Sequence, residues 1–368
     1  MSSPFHRTLG SLAVLLVAAA AVPVAWAQAG GSESDFIYAK KLYDDGLYDL
    51  AAEALQAYIQ ANPDSPDKVQ AMMLIGEARF ADGEYAAART AFQQVALDFP
   101  DSPQAPRALM RVADCYRAAG DEEKTARALL RIPVFRPNSD EAPAALLAAA
   151  RIYVDRERWE DAESPLQQII NQYAGSPQVW PARLLWARLL AGRGELDAAV
   201  VEAGKVALKA DDKELSAKAL FHRGEWLSRL GREDEAETVW EELIAGYPGL
   251  PQQAAALARL GRRKIQAGDL EGARDLFQKA LESSQDSAVT AAANLGLGDV
   301  LFLLGQFEGS LSAYRAADTS DVAVRFREAV TLEKLGAVEE ALAIYRSLVE
   351  GGGPFASSAA WRSGDLLA

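Results

Sequence analysis

The chain has 368 residues, 50% of them hydrophobic and 24% charged, with a formal charge of −14. That acidity works against nucleic-acid binding, which depends on Lys and Arg neutralising phosphates. One cysteine (Cys115) and two histidines (His6, His222) cannot build a His-rich zinc site, a Cys cluster or an internal disulfide. No metal or cofactor is therefore expected.

Residues 1–27 read as a secretory signal peptide. A short polar start with His6 and Arg7 precedes a run from Leu9 to Val24 that is almost all Leu, Val and Ala, and Ala25-Trp26-Ala27 supplies a small-residue cleavage site ahead of Gln28. The expected mature product is periplasmic or secreted, with no integral membrane contact. The alternative is an uncleaved inner-membrane anchor, since the apolar run approaches the length of a span. Residues 28–32 form a short linker.

A 37-residue period then runs through the chain. One register reads Gly46, Gly83, Gly120, Glu157, Gly194, Gly231, Gly268 and Gly305, and closes at Gly336 after a shorter step of 31. Five residues on stands a small residue each time: Ala51, Ala88, Thr125, Ala162, Ala199, Ala236, Ala273, Ser310, Ala341. Nine residues on stands Leu55, Phe92, Leu129, Leu166, Ala203, Trp240, Phe277, Tyr314, Tyr345.

Each unit reads as two helices. In the second, apolar residues recur at helical spacing over Ala71–Ala81 and again over Glu84–Asp98. Gly83 suits a left-handed conformation closing the first helix, and Pro100 stops the second. Ser65-Pro66, Ser102-Pro103 and Ser176-Pro177 are expected to cap the next helix, with proline at its first position. The small-residue register marks a close helix crossing, and the larger register fills the gap beside it. One array over 33–350 with about nine pairs is expected, with no domain boundary inside it. The shortened step before Gly336 removes residues near 317–321 and implies a bend or a trimmed loop. A Gly-rich turn and a capping helix follow over 351–368, with Trp361 and Leu366 facing back.

These registers resemble the tetratricopeptide repeat (TPR). Ile75-Gly76, Tyr85, Ala88, Phe92 and Pro100 stand at positions matching its consensus. The resemblance implies an all-α fold, a right-handed TPR-type α-solenoid of antiparallel helix pairs, and a protein-binding scaffold that is not an enzyme. The period exceeds the family's usual 34 residues, with the excess in Pro-Asp-Ser-Pro connections at 63–66 and 100–103. Such connections are similar to those of periplasmic members, among them the Tol–Pal coordinator YbgF/CpoB and BamD. A coiled-coil segment like the coordinator's and a lipidated Cys like BamD's are both missing here. Lys and Asn do not stand where chaperone-tail-binding members carry them.

In arrays of this family the first helices line the inner face. The residues this implies for a partner segment are Phe36, Tyr43, Met73, Phe80, Met110, Arg117, Leu147, Arg151 and Arg188. Met and aromatic residues suit adaptable apolar recognition, and the arginines suit carboxylates. The competing reading is that the apolar members are shared between adjacent helices, while the arginines pair with Asp114 and Asp155. Two functions follow. One is an exported adaptor in cell-envelope assembly or maintenance, holding a partner in its groove. The other is a structural or assembly component acting through its outer face. His222 lies mid-helix beside Phe221, and no strand-associated phosphate loop exists, so no catalytic residues are assigned.

Overall fold

The computed structural model describes residues 33–368, so the signal peptide and linker lie outside the described residues. Among these residues there are nineteen α-helices and no strand. The helices are α1 (Glu33–Asp44), α2 (Tyr48–Ala61), α3 (Lys68–Ala81), α4 (Tyr85–Asp98), α5 (Gln104–Ala118), α6 (Glu122–Phe135) and α7 (Glu141–Asp155). Next come α8 (Trp159–Gln172), α9 (Val179–Gly192), α10 (Leu196–Lys209), α11 (Lys213–Arg229), α12 (Glu233–Gly246) and α13 (Pro251–Gln266). The last are α14 (Leu270–Ser283), α15 (Ser287–Leu303), α16 (Phe307–Ala316), α17 (Val322–Lys334), α18 (Val338–Gly351) and α19 (Ala356–Leu367). Odd-numbered helices up to α17 are the first helices of pairs, even-numbered ones the second. This is an all-α solenoid. Its packing divides into two compact units, one ending at Arg111 and one beginning at Val112, inside α5.

The hairpin turns follow the glycine register. All eight glycines in it have φ between +74° and +85°, and Glu157 is forced to φ +56° in the same role. A side chain in this left-handed region is crowded against its own backbone, costing about 1–2 kcal/mol. Pro63, Pro100, Pro137 and Pro248 share one register and lie just beyond the second helices α2, α4, α6 and α12, as the fixed φ and missing N–H require. The Ser-Pro pairs do not cap helices. α3 begins at Lys68 and α9 at Val179, two residues past each proline. Ser65 Oγ instead accepts from the Asp67 N–H, and Ser102 Oγ from the Gln104 N–H, so each serine closes a turn leading into the helix.

Within each pair the two helices cross at the small register, and all nine of its members are fully buried. Its two hydroxyls are satisfied locally: Thr125 donates to the Asp121 carbonyl and Ser310 to the Gly298 carbonyl, each at 2.8 Å. The register nine residues past the turn glycine is also buried throughout. What it meets on the first helix depends on its size. Phe92, Trp240, Phe277 and Tyr314 lie over Gly76, Gly224, Gly261 and Gly298. A Cβ added at Gly76, Gly261 or Gly298 would come within 2.5, 2.9 or 2.6 Å of the ring. Leu55, Leu129, Leu166 and Ala203 stand at the same register opposite Ala39, Ala113, Ala150 and Ala187. Tyr345, opposite Ala329, is the exception.

Second helices are mostly fourteen residues long, but α16 has ten. The shortened step therefore removes about one helical turn as well as part of the connection. α19 covers the preceding pair: Ala359 is buried, Phe355 stacks on Phe326 at 5.0 Å, and Arg362 donates to Glu333 at 2.9 Å. Leu366 packs back as expected, but Trp361 does not, being 69% exposed.

Candidate functional site

First helices touch the next first helix: α1 with α3 in the smaller unit, and α7–α9, α9–α11, α11–α13 and α13–α15 in the larger. No two second helices come comparably close among the described residues. A stack tighter on one side bends toward it, so the first helices line the inner side of each unit.

In the smaller unit, most of the expected groove residues are used to hold the hairpins. Phe36 is core: it is buried, with the Tyr58 ring 5.5 Å away and Ala39, Leu55 and Ala71 around it. At this position the apolar residue is shared between helices and leaves no ring for a partner. Tyr43 packs on Tyr48 at 5.5 Å and Phe80 on Tyr85 at 5.3 Å, each ring closing the turn to its own second helix. Phe302–Phe307 repeats the contact, and Ser228 makes the polar version by donating to Glu233. Phe80 is further covered by Arg111, whose guanidinium lies 4.2 Å above it while bound to both oxygens of Glu77. Met73 and Met110 remain half-exposed.

In the larger unit the inner side keeps more of its chemistry free. Arg117 is held by Asp114 at 2.7 Å and Arg188 by Asp155 at 3.1 Å, as the competing reading expected. Arg151 is exposed and makes no ion pair or hydrogen bond among the described residues. Leu147, one turn before it, is half-exposed, Leu184 is buried, and Phe221 is half-exposed in the same register. Continuing the arginine register gives Arg262, which is also without an ion pair. Burial and the neighbouring Arg259 guanidinium both lower its pKa. Arg262 borders a recess of about 240 Å³ with Arg229, Arg259, Arg263 and Glu225. Glu225 is already taken by Arg259 at 2.6 Å. An inner surface of apolar steps with Arg151 and Arg262 unpaired is suited to carboxylates presented on an apolar segment.

The tetratricopeptide repeat family matches residues 39–103, 76–143, 147–214, 221–288 and 258–322. The chain belongs to this family. No curated protein matches it. A solved tetratricopeptide repeat protein from Parabacteroides merdae is 16% identical, covers 82% of this chain and 98% of its own, and has a TM-score of 0.39. The Cut9–Hcn1 hetero-tetramer of APC/C is 16% identical over 90% of this chain and 68% of its own, with a TM-score of 0.47. The MamA RS-1 ArsTM double mutant, also 16% identical, covers 49% and 94%, with a TM-score of 0.39. The family match fixes the repeat class. The narrower likeness to periplasmic members rests on the proline-bounded connections alone.

Tetratricopeptide proteins mediate contacts between proteins and generally serve as non-enzymatic scaffolds. The titratable side chains here fit that role. His222 is packed between the rings of Phe221 and Trp226, stacked on the latter at 5.5 Å, and burial pushes its pKa down to about 4. Cys115 is buried. Asp49, Asp82 and Glu84 converge on the surface, and Arg79 binds two of them, Asp49 at 2.7 Å and Glu84 at 2.8 Å, offsetting part of their charge. Arg262 stands in the same 37-residue register as Arg151 and Arg188 but was not among the residues expected to meet a partner. The covering of Phe36, Tyr43 and Phe80 by neighbouring rings follows the competing reading, in which the apolar members are shared between helices.

Proposed function

We propose that the chain is an exported tetratricopeptide scaffold acting in the assembly or maintenance of a cell envelope. Its larger unit holds a partner-protein segment along the first-helix face, and that segment carries carboxylates on an apolar strip. The observation that carries the reading is the pair of unmatched inner arginines, Arg151 and Arg262, in a chain of net charge −14. Two other guanidiniums on this face are matched, Arg259 by Glu225 at 2.6 Å and Arg327 by Asp299 at 3.0 Å. Both arginines are exposed, where a partner's anion fixes register and speeds encounter more than it adds affinity. Export is supported by the arrangement of residues 1–27, with cleavage after Ala27, and a retained signal would make the same array membrane-anchored. No helix among the described residues is long and apolar enough to cross a membrane.

The test is capture from an envelope extract with wild type and an Arg151→Glu/Arg262→Glu variant of matched thermal stability. The reading expects a partner bound by wild type to be lost from the variant. Undiminished capture by the variant would overturn it.

One observation favours the outer-face alternative. A groove of about 750 Å³ in the smaller unit lies between α2 and α4, and Met72 and Ile75 of α3 are among its lining residues. If this groove is the binding surface, Ala57→Arg will abolish capture while the arginine reversals leave it intact.

A further inference from the structure

The recess of about 240 Å³ beside Arg262 is walled by α11, α12 and α13, and Trp240 of α12 is among its lining residues. A volume below that of a drug-sized ligand admits one compact head group. Its acceptors are already occupied. Both oxygens of Glu225 are held by Arg259, at 2.6 and 2.9 Å, and Glu233 accepts the hydroxyl of Ser228 at 3.0 Å.

Its donors are not. Arg229 and Arg262 are exposed and make no ion pair among the described residues. Trp240 is only 3% exposed, yet its indole N–H has no hydrogen-bond partner, and the buried Nε–H of Arg263 has none either. Arg263 directs another nitrogen to Asp234 at 3.2 Å, while its Nε stands 3.8 Å from Glu237, beyond hydrogen-bonding reach. The nitrogen edge of the Trp240 ring faces α11 at Gly224, beside Glu225 and one turn before Ser228 on the recess wall. Buried donors without partners are rare in native proteins, and two in one recess point to an acceptor that binds there.

We infer that this recess is a binding site for a phosphoryl group, either the free ion or the phosphate of a monoester. Its lining carries four guanidiniums, those of Arg229, Arg259, Arg262 and Arg263, against the carboxylates of Glu225 and Glu233. Free donors reach it from three helices, so a tetrahedral group with three acceptor oxygens meets more of them than a planar carboxylate can. Guanidinium forks bind phosphate through parallel hydrogen bonds, and the indole N–H adds a donor without adding charge. A bound anion also offsets the burial and the Arg259 repulsion that lower the Arg262 pKa. Arg262 belongs to the proposed partner face as well, whereas Arg229, Trp240 and Arg263 do not, so the phosphoryl site stands or falls without that reading.

The test is a titration of the full chain, carrying isotope-labelled tryptophan, near neutral pH and at constant ionic strength. The indole signal of Trp240 is assigned by its loss in Trp240→Phe, which keeps a ring over Gly224 as Phe277 does over Gly261. That signal is expected to shift saturably with inorganic phosphate and with glycerol phosphate, and to stay in place with acetate. Arg229→Gln, at an exposed side chain, should weaken both titrations about tenfold and leave the melting temperature unchanged. Tighter binding of the ester assigns the site to an esterified phosphate and equal binding to the free ion, and either upholds it. If Trp240→Phe unfolds the chain, calorimetric titration of wild type against Arg229→Gln decides the same question. Absence of a saturable response, an equal response to acetate, or titrations indifferent to Arg229→Gln would contradict the site.

Discussion

Two stretches of the larger unit solve one packing problem with opposite sizes. From α5 to α10 the first helix offers Ala113, Ala150 and Ala187, and the second helix answers with Leu129, Leu166 and Ala203. From α11 to α16 the first helix offers Gly224, Gly261 and Gly298, and the second helix answers with Trp240, Phe277 and Tyr314. Where the first helix offers glycine a ring fills the space, and where it offers alanine the second helix brings a leucine or, at Ala203, an alanine, since interiors tolerate neither voids nor overlap. The alanine stretch gains helix propensity from its small residues. The glycine stretch gives up about 1 kcal/mol per glycine in propensity and recovers it by burying a large ring.

The strongest way to break this comparison is to remove a ring. Phe277 is enclosed by Gly261 and by Gly296 of the following pair, so Phe277→Ala leaves a cavity that helices cannot close. It should cost about 3–5 kcal/mol in urea unfolding, against about 2–3 for Leu166→Ala in the other stretch. Equal losses would show that ring and leucine are interchangeable.

His222 sharpens the contrast through pH. Its pKa falls from 6.5 to about 4 because burial disfavours the imidazolium, with Arg188 adding repulsion. The unfolded chain therefore takes up the proton first. The neutral form's contribution is complete above pH 6.5 and is lost as pH drops from there toward 4, by up to roughly 3 kcal/mol. His222→Gln should flatten the stability profile in that window relative to wild type. An unchanged slope would mean the imidazole protonates freely in the fold.

A smaller loss is expected from filling a socket. Gly224→Ala drives a methyl into the Trp240 ring and should cost about 1–3 kcal/mol despite better helix propensity. Pairing Gly261→Ala with Phe277→Leu imports the alanine solution into the glycine stretch and should recover much of the loss from Gly261→Ala alone. Additive losses would refute the size-matching account.

The smallest effect should be a gain. Glu157 holds φ +56° with an exposed side chain, so Glu157→Gly should raise stability by about 1 kcal/mol, read as an upward shift in melting temperature.

The periodicity made the fold legible because it records backbone needs repeated nine times. A positive φ at each hairpin turn and a small residue at each crossing leave few residue choices. The site was less legible, because a register says which residues share a helix face but not what a neighbour lays over them. Phe36 faces inward and is closed by Tyr58, and Phe80 is closed by Tyr85 and Arg111. Arg117 and Arg188 found Asp114 and Asp155, as was foreseeable, whereas Arg151 stayed free. Trp361 looked like a capping residue by its bulk. Its register places it in the row of Leu295 and Phe326, and it stands exposed.

The scaffold account turns on which helices meet the partner. A photo-crosslinking amino acid placed in turn at Leu147 and Phe221, on first helices, and at Ala57 and Gln168, on second helices, reads this in an envelope extract. The account predicts that Leu147 and Phe221 label the same partner, and that Arg151→Glu/Arg262→Glu erases the label. Labelling confined to Ala57 and Gln168 would contradict it.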